Sequence, residues 1–108
     1  MVLSRSYSET VRERADRDPG FRAALLSEAM EALNAGDADL GKALIRNYIN
    51  ATIGFEQLAV SVSMDPKNLM RMFGPRGNPR LANLSAVLRE LGRREEVHFK
   101  VEPERLAS

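Results

Sequence analysis

The chain of 108 residues has no cysteine and only one histidine, His98. The first absence excludes disulfides, thiolate nucleophiles and thiolate metal ligands, and it is compatible with a reducing cytosol. The second excludes a metal site built from several histidines. The opening residues, MVLSRSYSE, lack the apolar core of a signal peptide. No run approaches the roughly 20 apolar residues of a membrane helix. A soluble, cytoplasmic protein without membrane contact is expected. No phosphate-cradling glycine motif, no metal-ligand spacing and no nucleophile beside a base stands out. The chain therefore does not read as an enzyme, and no catalytic residue, metal or cofactor is expected.

The composition, 44% hydrophobic and 29% charged, suits one folded domain of ordinary size. The net charge of +1 hides an asymmetry. Residues 1–65 carry −3 and residues 95–108 carry −2. Residues 66–94 hold Lys67, Arg71, Arg76, Arg80, Arg89, Arg93 and Arg94 against Glu90 alone, a local charge of +6. Positive charge concentrated on one helix and the loop after it is the footprint of a nucleic-acid partner. The plainer alternative is a solvated basic face.

Hydrophobic spacing predicts helices almost throughout. Ser6 and Glu9 form a capping-box pattern before a helix to about Arg17, with Tyr7, Val11 and Ala15 on its only apolar side. Asp18 and Pro19 signal the cap and first position of a second helix, to about Asn34, with a stripe of Phe21, Leu25, Ala29 and Leu33 widened by Leu26 and Met30. Gly36 ends it. Asp37 or Asp39 caps a third helix over about 39–52, apolar over much of its girth and so expected at the centre of the bundle. After a loop over 74–80, Asn78 can cap a helix over about 79–91 with Pro79 first, Leu81, Leu84, Leu88 and Leu91 in register, and Gly92 stopping it.

The stretch 55–73, FEQLAVSVSMDPKNLMRMF, organises the rest. It reads as two short helices and a tight turn. Leu58, Ala59 and Val62 line one face of the first. In the second, capped by Asp65 and opened by Pro66, Leu69, Met72 and Phe73 are spaced for burial. The opposite face carries Lys67, Asn68 and Arg71. A helix apolar behind and Lys/Asn/Arg in front is suited to the DNA major groove, where Arg and Lys match guanine acceptors and Asn pairs with adenine. Arg76 and Arg80 flank the following turn and are candidates for phosphate contacts, with backbone N–H groups near Asn78. Arg93 and Arg94 either grip phosphate or balance a helix C-terminus.

Beyond Gly92 the pattern changes. Val97, Phe99 and Val101 alternate with His98 and Lys100, which predicts a strand. With no second strand in the chain, its partner would be another chain, either a second copy or a different protein. The alternative is a helical extension or a coil packed on the bundle.

The region 54–92 resembles the lambda-repressor-like (XRE/Cro-type) helix-turn-helix proteins. More specifically, it is similar to the addiction-module antidote family, the HigA-type antitoxins, in its G-F-x-x-LA, GNP, VL and LG elements. Three units follow from this comparison: a helical extension over 1–36, a helix-turn-helix DNA-binding domain over 37–94, and a C-terminal strand and tail over 95–108. The resemblance implies a five-helix DNA-binding domain; together with the strand read from the alternation over 97–101, the expected fold is all-α with one short C-terminal strand. It also implies a dimer that binds an inverted-repeat operator in double-stranded DNA, represses its own operon, and neutralises a RelE/HigB-type toxin. The implied DNA contacts are Lys67, Asn68 and Arg71, joined by Arg76, Asn78 and Arg80. Val97, Phe99 and Val101 are the expected dimer or partner strand. Phe55 stands where many such repressors place a hydrogen-bonding Gln. Ser63 stands at a turn position usually held by Gly, which puts a non-glycine residue at positive φ. The alternative function is a protein-interaction module with little or no DNA binding.

Overall fold

A computed structural model describes residues 5–107. Six helices follow in order: α1 (Arg5–Arg17), α2 (Pro19–Asn34), α3 (Ala38–Ala51), α4 (Phe55–Val62), α5 (Pro66–Met72) and α6 (Leu81–Arg94). The protein is all-α, and no strand occurs among the described residues. None of these helices is long and apolar enough to cross a membrane.

The first three helices begin and end close to where the sequence places them. α1 begins at Arg5, one residue before the Ser6 expected to cap it, and the side chains of Ser6 and Tyr7 lie outside the described residues. α1 is thinly anchored, with Ala15 buried, Val11 half-buried and Arg12 Nη2 donating to the Asn50 carbonyl at 3.3 Å. Asp18 Oδ1 accepts from the Phe21 N–H at 3.0 Å and caps α2. At its other end Gly36, at φ 86°, lets the Asp37 N–H return to the Ala32 carbonyl at 2.9 Å, which satisfies the last turn. Asp37, not Asp39, caps α3, accepting from Leu40 N–H at 3.1 Å.

The buried stripe of α2 is rotated from the expected one. Leu26, Ala29 and Ala32 are buried, whereas Phe21, Leu25 and Leu33 are half-buried. α2 lies against α3, where Gly41 faces Leu33 so closely that a Cβ would fall 2.5 Å from its Cδ2. Phe21 is covered instead by the Arg14 guanidinium, 4.5 Å from the ring centroid. α3 contributes the most residues to the interior, among them Ile45, Tyr48 and Ile49. They form one cluster with Leu26 and Ala29 of α2, Phe55, Leu58 and Ala59 of α4, Leu69, Phe73, and Val87 and Leu91 of α6.

Two expectations for α6 are corrected. It starts at Leu81 with Arg80 at the cap position and no side-chain cap bond, so Asn78 does not cap it and Pro79 is not its first residue. It also runs through Gly92 to Arg94. Gly92 is buried beneath the chain's return, where the Val97 N–H donates to its carbonyl at 3.0 Å and the Val97 carbonyl lies 3.0 Å from where a Cβ would sit. The approach leaves little room for a side chain at this position, two residues before the actual end of the helix.

The C-terminal strand is a third correction. Residues 97–107 carry no regular secondary structure. Alternation alone cannot form a ladder, and no second strand lies within reach. Phe99 packs on the core cluster, whereas Val97 and Val101 are exposed.

Among the described residues two that are not glycine have positive φ, Ser63 at 55° and Glu96 at 57°. Ser63 ends α4, as its turn position requires, and Glu96 follows the cap of α6. A side chain in this left-handed region is strained by roughly 1 kcal/mol. Ser63→Gly and Glu96→Gly are each expected to raise stability by about 0.5 kcal/mol, after the added freedom of the unfolded glycine is deducted. Urea unfolding of the two variants measures this.

Candidate nucleic-acid interface

α5 has seven residues, and isolated helices shorter than roughly 12–15 residues are marginal in water. Tertiary burial therefore holds it. Leu69 and Phe73 are fully buried and Met72 is half-buried, and each fully buried side chain of this size contributes about 1.5–3 kcal/mol. The Phe73 ring lies 6.5 Å from that of Phe55, tilted by 42°. Phe55 is thus a core residue that joins the start of α4 to the end of α5, and it is not presented outward. Residues 63–65 connect the two helices, and Asp65 Oδ1 accepts from Lys67 N–H at 3.2 Å.

With one side of α5 committed to the core, the other is fixed toward solvent. Lys67, Asn68, Met70 and Arg71 are all exposed. Arg71 Nη1 donates to Asn68 Oδ1 at 3.4 Å, a long contact that leaves both side chains able to pair elsewhere.

The loop over 74–80 returns beneath the end of α5. Gly74 N–H donates to the Arg71 carbonyl at 3.1 Å and Gly77 N–H to the Gly74 carbonyl at 3.0 Å. Gly77 lies so near the helix end that a Cβ would fall 2.1 Å from the Arg71 carbonyl oxygen and 2.4 Å from that of Met72. Arg76 and Asn78, on either side of Gly77 and both exposed, are therefore held beside the last turn of α5. Arg80 is exposed at the entry to α6.

Two side chains that sequence reasoning passed over support this loop. Lys42, only 9% exposed, donates from Nζ to the Gly77 carbonyl at 2.6 Å and to the Gly74 carbonyl at 3.3 Å, with Asp39 Oδ1 at 3.6 Å. Arg46 Nη1 donates to the Phe73 carbonyl at 2.9 Å. Both cations also face the negative end of the α5 dipole. The available signal was that Lys42 falls three and seven residues before Ile45 and Ile49, on the buried stripe, whereas Leu40 is 48% exposed.

Arg93 and Arg94 belong elsewhere. Arg93 donates to both carboxylate oxygens of Glu90, at 2.9 and 2.8 Å, and Arg94 lies 3.9 Å from the same group. The Arg93 hydrogen bonds, more than charge alone, hold the Glu90 carboxyl below its ordinary range. Both arginines sit in the last turn of α6, where cations favour the helix end. Val97 and Phe99 line one wall of an open groove of about 590 Å³, whose other walls include Met30, Leu84 and Leu88. Val101 does not join them. Among the described residues no group of three or more His, Asp or Glu side chains is placed to hold a metal ion. Compared with known proteins, the chain matches no family model, no curated protein and no solved structure.

Proposed function

We propose that this chain is a sequence-specific regulator that binds double-stranded DNA through a helix-turn-helix formed by α4, residues 63–65 and α5. In this reading it is an antitoxin of the HigA type that represses its own operon as a dimer and neutralises a RelE/HigB-type toxin. The observation that carries the reading is the division of α5. Leu69 and Phe73 anchor it in the core, while Lys67, Asn68 and Arg71 stand exposed together, beside Arg76 and Asn78. Arg71 and Lys67 suit guanine N7 and O6, and Asn68 suits adenine. Arg76 and Arg80 suit phosphates, which set register without reading sequence. A symmetric dimer would read half-sites about 34 Å apart, one helical turn.

Fluorescence anisotropy tests this, using the DNA upstream of the gene against a scrambled duplex at several salt concentrations. Tighter binding to the native duplex is expected. Arg71→Ala should cost about 1–3 kcal/mol on that duplex and relax discrimination, because it removes a base contact. Arg76→Ala should weaken both duplexes alike and reduce the salt slope by about 1. Equal, weak, mutation-insensitive binding to both duplexes would overturn the reading. The second reading, a protein-interaction module, is favoured by the apolar groove and by Leu81, 82% exposed at its edge. It predicts partner capture that is sensitive to Leu81→Lys and indifferent to Arg71→Ala.

A further inference from the structure

Lys42 is charged and yet only 9% exposed. Lysine rarely enters an interior without partners, because its ammonium carries three donors that must be satisfied. A cap for the end of α5 would account for a cation here, but Arg46 already takes the Phe73 carbonyl. The two carbonyls that Lys42 takes, Gly74 and Gly77, lie beyond the helix and are themselves joined by the hydrogen bond from Gly77 N–H to the Gly74 carbonyl. The ammonium thus closes residues 74–77 into a fixed turn from below. Arg76 lies inside that turn and Asn78 directly follows it.

We propose that Lys42 is a positioning residue for DNA binding, whose buried ammonium fixes the turn over 74–77 so that Arg76 and Asn78 meet the phosphate backbone in one orientation. The proposal rests on the DNA-binding reading above. Its physical basis is reach: a turn held by Lys42 keeps Arg76 where it pairs with a phosphate, and a released turn forfeits that pairing and the counterion it displaces. Lys42 contacts no DNA itself, so its influence passes through Arg76 and falls equally on all sequences.

The test compares Lys42→Met, which keeps the aliphatic stem and removes the donors, with the wild-type chain. Amide exchange over 76–80 in the free protein should accelerate by at least about tenfold, while α2 and α3 keep their protection. The salt slope of DNA binding should fall by about 1, with the same loss of affinity on native and scrambled duplexes. In an Arg76→Ala background Lys42→Met should change the slope no further, since the two act through one contact. Lys42→Arg, which restores charge and donors, should recover the slope. If Lys42→Met does not fold, Lys42→Gln, with a shorter neutral donor, is read in the same way. Specific binding by the wild-type chain with an unchanged slope in the variant would overturn the role of Lys42 alone. No binding by the wild-type chain would overturn the DNA reading itself, whatever the exchange shows.

Discussion

Glu95→Ala is expected to destabilise the protein by about 3 kcal/mol, the scale on which removing one member of a buried ion pair acts. Glu95 follows α6, and its side chain is 7% exposed. Both of its oxygens accept from Arg22 Nε, at 2.9 and 3.0 Å, and Tyr48 donates its hydroxyl hydrogen to Oε2. Arg22 Nη1 donates in turn to the Ala15 carbonyl at 2.6 Å. One carboxylate therefore links the end of α1, α2, α3 and the end of α6. Its removal leaves a largely buried guanidinium uncompensated and a buried hydroxyl without its acceptor. For a domain of this size the melting temperature should fall by roughly 10–20 °C. Circular dichroism during thermal and urea unfolding measures both quantities, and a loss below about 1 kcal/mol would mean that solvent readily replaces the carboxylate. Glu95→Gln, which still accepts from Tyr48, should lose less.

The same network adds an alkaline limit. Burial first, then the hydrogen bond and charge of Glu95, push the Tyr48 hydroxyl above its ordinary value of 10.0. The folded state thus holds this proton more tightly than the unfolded chain. Its contribution is complete below pH 10 and is lost as pH rises past that value. Tyr48→Phe should remove this steepening of alkaline unfolding.

The helices were legible because their signals are local. Asp18–Pro19, Asp37 and Asp65–Pro66 mark helix starts by chemistry confined to a few residues, and the structure uses all three as caps. The exposure of Lys67, Asn68 and Arg71 followed from the burial of Leu69 and Phe73 on the same short helix. What the sequence concealed depends on distant neighbours. Gly92 looks like a stop signal, yet its role is set by the Val97 carbonyl folding back over it. Val97, Phe99 and Val101 alternate as a strand does, but Phe99 is taken by the helical core before any ladder can form. Lys42 finds its acceptors 32 and 35 residues away, and Glu95 meets Arg22 across 73. No periodicity within one helix reports such pairs.

Gly77→Ala should cost about 2–3 kcal/mol, at the upper end for overpacking by a single methyl, because the obstructing atoms cannot rotate aside. The added Cβ would meet the Arg71 carbonyl oxygen at 2.1 Å, the Met72 carbonyl oxygen at 2.4 Å and the Met72 carbonyl carbon at 2.6 Å, all of them backbone. Either α5 unwinds at its last turn or the loop leaves it. Gly74→Ala is the matched control, since its Cβ would meet the Arg71 carbonyl oxygen at 3.4 Å, an ordinary contact. The two escapes separate experimentally. Unwinding of α5 frees Phe73 and should show as a full stability loss in urea. Displacement of the loop withdraws the Gly77 carbonyl from Lys42, and should show as faster amide exchange over 76–80 with a smaller loss. In both cases Arg76 leaves the end of α5, so, on the proposed DNA-binding function, affinity for any duplex should weaken together with its salt dependence. Unchanged stability and unchanged exchange in Gly77→Ala would mean that the loop does not lie against α5 in solution. The orientation of Arg76 and Asn78 would then have no structural basis. Gly77 and Lys42 hold the same turn, one by having no side chain and the other by burying a charged one.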